Sequence, residues 1–287
     1  MLLTVTLLSL VALVLFGIGD YAIGRSGRNL SPHIVNFVLQ LLLFFTVAPV
    51  ALFFGMSMDG FDSLITVAIG IVFGLGFIWF IKAMARGPMG IAAPIVNSSA
   101  IVTLLVSLAF FGVSLSATAV FALMLVGVGA VLLTFTKDTF KGKFLYSKTA
   151  KLAAVAMIIH GVSFAFLTPI IERHEWYEVL FMMEFGMLIA AAVIMFGKFA
   201  KKTGELKILF TKQIMIAVVA GVITGLGSII MFLAGGVDSN LVLPFVLTSA
   251  SPLVTSLIAY FLDKERISLV NRIGAVVVVL GMVVLNL

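Results

Sequence analysis

Apolar runs of about 20 residues, the length that crosses the hydrocarbon core of a bilayer, follow one another along almost the whole chain. Short polar connections separate them. The pattern predicts spans near 2–24, 31–54, 61–84, 88–112, 116–135, 149–171, 175–197, 211–235, 239–262 and 268–286. Almost nothing remains from which to build a soluble domain. The opening MLLTVTLLSL lacks the basic start and small-residue cleavage pattern of a removable signal, so it is expected to stay as the first span. The fold class predicted is an all-α polytopic membrane protein with ten transmembrane helices.

Composition agrees: 62% of residues are hydrophobic and 10% charged, far from the balance of a soluble domain. The absence of cysteine excludes disulfides, thiolate metal sites and cysteine nucleophiles. A net charge of +6 could suggest nucleic acid, but the positions of the charges argue otherwise. Arg25, Arg28, Lys82, Arg86, Lys137, Lys141, Lys143, Lys148, Lys151, Lys198, Lys201, Lys202, Lys207, Lys212, Lys264, Arg266 and Arg272 all fall in or beside the odd-numbered connections. Of the 18 basic residues, Arg173 alone falls elsewhere. Such a bias places the odd connections in the cytoplasm and both termini outside. The basic residues are topology anchors in the cell (inner) membrane, not a nucleic-acid patch.

The chain also repeats itself. ITVAIGIVFGLG (65–76) matches IAVVAGVITGLG (216–227) without a gap, placing Gly70, Gly74 and Gly76 on Gly221, Gly225 and Gly227. After a one-residue slip, APIVNSSAIVTLLVSLAFF (93–111) overlays LPFVLTSASPLVTSLIAYF (243–261), with Pro94 on Pro244 and Ser99 on Ser249. The division is a first five-span half (1–136), a lysine-rich linker KDTFKGKFLYSK (137–148) and a second five-span half (149–287). Because five is odd, the halves enter the membrane in opposite senses, giving two inverted five-helix repeats. Gly70 with Gly74, and Gly221 with Gly225, are spaced to let another helix backbone approach; static packing explains them and so would a sliding surface.

KAMARGPMGIAAPIVNSSAIVTLLVSLAFFGVSLS (82–116) and LVLPFVLTSASPLVTSLIAYFLDKERIS (241–268) resemble the two copies of the EamA-like domain. That domain defines ten-span carriers of the drug/metabolite transporter (DMT) superfamily. The resemblance covers nearly the whole chain and is best in spans 3–5 and 8–10. It implies a carrier fold, transport of small organic metabolites, and a pathway lined by the helices of Pro94 and Pro244. The family's Gly-Glu-Arg-Leu-Ser type of turn survives as Glu265-Arg266-Ile267-Ser268, whereas the first copy has Gly112-Val113-Ser114-Leu115-Ser116 and neither charge. That loss argues against a coupling role for the turn. Many members are drawn with cytoplasmic termini, the reverse of the orientation the lysines indicate here.

Ionisable groups within spans are costly and need a partner, a wet cavity or a neutral form. Asp20 shares a stripe with Ser9, Gly17 and Gly24, and a helix-end ion pair with Arg25 or Lys82 explains it adequately. Trp79 reads first as an interfacial belt residue and only second as a member of the candidate set. His160 lies mid-span on a small-residue face with Ala153, Ala156 and Ser163; a satisfied core histidine and a functional one weigh about equally. Glu184 lies midway along span 7 with no local basic residue on its own helix, and the overlay that sets Gly17 on Gly161 sets Gln40 on Glu184. Three readings of Glu184 compete: a protonated structural acid, a proton-coupling carboxylate relayed through His160, and a holder of a cationic substrate group. Pro94 and Pro244 are expected to break their helices beside the cavity, and after them come Asn97, Ser98, Ser99 and Thr103 in one half and Thr248, Ser249 and Ser251 in the other, able to answer a carbonyl that proline frees. Back-bonding to their own helix covers some of these; Asn97 is the least easily dismissed.

A membrane enzyme is the rival class, but His33, His160 and His174 lack ligand spacing, and no H-E-x-x-H, P-loop or Rossmann glycine motif occurs. A channel and a structural subunit of a membrane complex are the remaining rivals. The expectation is a non-enzymatic secondary carrier with no cofactor and no metal, whose partners are a small-molecule substrate, the lipid bilayer and protons as coupling ion. Export of an amino acid or related metabolite, by a monomer or homodimer, is the best single reading.

Overall fold

The computed structural model describes residues 2–86, 89–112, 116–132, 148–199, 212–238, 241–262 and 269–285. The 137–148 linker, apart from Lys148, and the Glu265–Ser268 turn lie outside them. The described chain is all-helical: α1 (Leu2–Gly27), α2 (Pro32–Phe54), α3 (Gly60–Arg86), α4 (Met89–Asn97), α5 (Ser99–Phe110), α6 (Ala117–Leu132), α7 (Lys148–Ile171), α8 (Trp176–Phe199), α9 (Lys212–Asp238), α10 (Val242–Thr248), α11 (Pro252–Leu262) and α12 (Leu269–Leu285). Helices are the natural answer to an apolar solvent, because each satisfies its own backbone polar groups. Among the described residues, 7 helical segments are long and apolar enough to cross a membrane, with Ile95–Phe110 and Ala117–Gly129 as shorter apolar helices. Large apolar side chains such as Leu52, Phe53, Phe61, Phe110 and Phe261 face outward, a surface suited to lipid rather than water.

The fourth and ninth spans expected from the sequence are each interrupted. Between α4 and α5 the chain tightens at Ser98, whose N–H bonds to Ile95 O at 3.2 Å. The second interruption is longer, through Ser249, Ala250 and Ser251, with Ala250 N on Leu247 O (3.2 Å) and Ser251 N on Thr248 O (2.9 Å). These are tight i to i−3 bonds. Pro94 and Pro244 sit inside α4 and α10, ahead of the breaks rather than at them; Pro252 instead opens α11, where a missing N–H costs nothing.

Contacts recur in matched sets. A Cβ at Gly17 of α1 would lie 2.5 Å from Val254 Cβ and 2.8 Å from Ser251 O. A Cβ at Gly161 of α7 would lie 2.5 Å from Val102 Cβ and 2.6 Å from Ser99 O. Across the same contacts Thr255 Oγ1 donates to Gly17 O, and Thr103 Oγ1 to Gly161 O, both at 2.9 Å. Gly70 and Gly74 bring α3 onto Met183, Met187 and Ala190 of α8; Gly221 and Gly225 bring α9 onto Leu39, Leu42 and Thr46 of α2. Small residues thus set the tightest helix crossings.

Candidate functional site

The core is divided into apolar clusters with a cavity between two of them. One cluster gathers Ile23, Ile34, Val38, Leu39, Ile81, Met84 and Ala153 toward the ends of α2 and α3 that meet the basic connections. The other gathers Leu167, Ile170, Val179, Leu180 and Leu241 at the opposite end. The cavity, about 750 Å³ counting the space at its mouth, draws its lining from α1, α2, α3, α4, α7, α8, α9 and α10.

One wall is aromatic. Phe73, Phe77 and Phe80 descend α3, and Phe164 comes from α7. His160 is 6% exposed and lies flat on Phe73, ring centroids 4.1 Å apart and planes 12° apart, with Phe77 at 5.8 Å. Gly76 makes room for that imidazole, since a Cβ there would come within 2.9 Å of His160 Cδ2. Phe164 in turn stacks on Phe245 at 3.9 Å. Glu184 enters from α8 between Met183 and Met187, 2% exposed, and among the described residues its Oε2 has no hydrogen-bond partner.

The facing wall is polar. Asp20 on α1 accepts from Ser251 Oγ at 3.4 Å, and Ser251 also reaches Asn97 Oδ1 at 3.5 Å. The Ser251 hydroxyl thus sits between Asp20 and Asn97 and brings α1 to both interrupted spans, and Arg25, the helix-end partner the sequence suggested, also donates to Tyr21 OH at 2.8 Å. Asn97 donates to Ala93 O (2.8 Å), Thr248 to Phe245 O (3.0 Å) and Ser249 to Val246 O (2.6 Å). Back-bonding thus uses the hydroxyl protons of Thr248 and Ser249 and one of the two amide N–H groups of Asn97. Thr224 and Ser228 from α9 complete the wall.

Of the sequence candidates, Glu184, His160, Asp20, Asn97, Thr248 and Ser249 meet at this cavity. Gln40 does not line it: it is 0% exposed, whereas Leu43 on the same helix is in the lining. Trp79 is 37% exposed on the outer surface of α3, with Lys82 Nζ 4.8 Å over its ring, and lies outside the cavity. Ser98 and Pro244 are also outside the lining, and the side chain of Pro94 is outside the described residues. Sequence reasoning missed Phe73, Phe77, Phe80, Thr224 and Ser228. The one hint was their place beside the matched glycines, Phe73 and Phe77 around Gly74 and Gly76, Thr224 and Ser228 around Gly225 and Gly227, which does not by itself tell a cavity from lipid.

Chemically the cavity offers two carboxyl groups, one imidazole, neutral hydroxyl and amide groups and several aromatic faces. Among the described residues no lysine or arginine lines it. Such a lining complements a cationic group attached to an apolar body. A second polar cluster lies at the far end of α8. Asp59, Asp62 and His174 come close enough to share an ion, but His174 Nε2 sits 2.7 Å from Asp62 Oδ2 and Arg173 Nη2 lies 3.0 Å from the same oxygen. These side chains answer the charge of Asp62 directly. Glu178 Oε1 accepts from Ser57 N, Ser57 Oγ (3.0 Å) and Met58 N (3.0 Å), tying the α2–α3 connection to α8.

The profile of the EamA-like transporter family matches residues 147–287. A solved structure titled only "Crystal structure of protein" is similar to this chain with a TM-score of 0.69 and 19% identity, covering 99% of this chain and 98% of its own; at that identity it speaks for the fold alone. No curated protein matches the chain. With its many apolar helices, the molecule is a multi-pass membrane protein of transporter type.

Proposed function

We propose that this chain, which belongs through residues 147–287 to the EamA-like transporter family, is a secondary carrier of small organic metabolites. It works by alternating access between two inverted five-helix repeats, 1–136 and 149–287, that together span the membrane ten times. The matched contacts of Gly17 with Gly161, Thr255 with Thr103, and Gly221 with Gly70 support the repeat. The basic connections lie in the cytoplasm and both termini outside.

One observation carries the substrate reading: Glu184 and Asp20 share a cavity with an aromatic wall and, among the described residues, no lining lysine or arginine. The substrate presents an amino group to a carboxylate and an apolar body to Phe73, Phe77 and Phe164. An amino acid or a related amine, exported in exchange for protons, fits best; its own carboxylate would meet the hydroxyls of Thr224 and Ser228. Glu184 binds either the substrate cation or a proton, so one event excludes the other, and His160 stands on the same wall to pass the proton.

Counterflow in proteoliposomes tests this. Liposomes loaded with an unlabelled amino compound, chosen by a thermal-shift screen of amino acids, nucleotides, sugars and amines, should transiently accumulate the labelled compound. Glu184→Gln should lower uptake roughly tenfold or more and abolish its pH dependence. Unchanged uptake and pH dependence would leave Glu184 a structural acid, and absence of counterflow in the wild type would favour a channel or a structural subunit.

A further inference from the structure

Two amides on α2, Asn36 and Gln40, are each 0% exposed, and among the described residues none of their side-chain oxygens and nitrogens has a hydrogen-bond partner. Buried amides so placed are rare in folded proteins and are ordinarily answered by ordered water. A bilayer makes the demand stricter, since lipid offers nothing in return.

Their direction is fixed by their neighbours. On one flank of α2, Phe37 meets Phe196 at 6.1 Å, and Phe44 meets Phe181 at 5.4 Å, both partners lying on α8. On the other flank, Leu39, Leu42 and Thr46 bear on Gly221 and Gly225 of α9. Asn36, Gln40 and Leu43 follow helical spacing on the face between these flanks, and Leu43 is in the cavity wall. The amide face therefore continues the cavity surface toward the α1–α2 connection, where His33, Arg25 and Arg28 lie. It runs through the cluster of Ile34, Val35, Val38, Leu39, Ile81 and Met84 that otherwise closes this end.

We propose that a file of water molecules runs along Asn36 and Gln40 through this apolar cluster and carries protons between the basic end of the molecule and the cavity. Each amide offers two donors and an acceptor, so water can bond to it and to the next water. The path ends at the cavity whose titratable groups are Glu184, Asp20 and His160. A proton can then reach Glu184 from this end while the substrate's own route stays closed by apolar packing. The proton-coupling role rests on the carrier reading; the water file does not.

The chain has no cysteine, so single cysteines report cleanly. Asn36→Cys and Gln40→Cys, compared with Leu39→Cys at the same depth, are exposed in the native state to silver ion, which is about water-sized. Protection is counted as thiol left unreacted with N-ethylmaleimide after unfolding. A thiol reacts as its thiolate, which forms in water and not in packed hydrocarbon. The expected result is protection of positions 36 and 40 at least tenfold faster than position 39; equal rates overturn the water file. In proteoliposomes, Asn36→Leu should keep counterflow within about twofold of wild type while uptake driven by a pH gradient falls at least tenfold. Full pH-driven uptake in this variant, or loss of counterflow along with it at normal thermal stability, overturns the proton route. A wild type without counterflow would instead remove the carrier reading and leave the silver result standing.

Discussion

Asp59 holds the start of α3 by accepting from Phe61 N and Asp62 N through Oδ1, both at 2.9 Å, an N-cap with the charge at the favourable end of the helix dipole. The hydrogen bond from Asp62, then that from Phe61, then the charges of His174 and Arg173, hold its carboxyl below the usual aspartate range. A depressed pKa gives stability that is present above the ordinary value near 3.8 and lost as pH falls through the folded value. Asp59→Asn keeps an acceptor but not the charge, so in detergent it should unfold at a lower temperature than wild type at pH 7. The gap should close as pH drops below about 4; a gap independent of pH would assign the effect to something other than the carboxylate. Within the spans, Glu184 was legible because it is a carboxylate set mid-span among apolar neighbours, away from the polar end of the helix where Glu178 sits. Phe73 and Phe77 were not, because a phenylalanine facing a cavity and one facing lipid read alike in sequence. For Asp20 the helix-end residues Arg25 and Lys82 were legible as partners, whereas Ser251, brought to it by the packing of α1 on α11, was not.

At the scale of elements, the glycine pattern translated directly into close crossings, whereas the proline pattern did not translate into breaks. The overlay of Ser99 on Ser249 fails at the level of contacts, since Ser99 O under Gly161 is answered by Ser251 O under Gly17. A gapless comparison cannot see that the second interruption is longer than the first. Gly19 gives a measurable case of a helix crossing. A Cβ there would lie 2.5 Å from Thr224 Oγ1, while the next nearest atom is 3.7 Å away. Gly19→Ala alone should therefore destabilise by roughly 1–3 kcal/mol, the usual cost of overpacking. Adding Thr224→Ala removes the one obstructing atom and should recover most of it. A thermal-unfolding double-mutant cycle measures the coupling, and additive losses would mean that α1 and α9 do not cross as described.

Across the whole molecule, the most extensive packing joins helices from opposite halves: α1 on α9, α3 on α7 and α8, α2 on α8 and α9, α5 on α7, and α6 on α12. The cavity likewise takes Phe73, Phe77 and Asp20 from the first half and His160, Glu184 and Thr224 from the second. A half expressed alone would expose glycine-lined faces that only the other half fits, with no hydrophobic drive in lipid to hide them. Sequence repetition makes 1–136 and 149–287 look like separate units, but contacts of this kind make them interlocked parts of one folding unit. Cutting the chain in the 137–148 linker should accordingly yield two fragments that co-purify and restore counterflow when expressed together. Either fragment alone should be degraded or aggregate. A reporter fused at the cut should be active only in the cytoplasm if the lysine-rich linker lies there. A fragment that folds and remains monodisperse by itself would show that its helices find sufficient partners within one half, and the interlocked reading would fall.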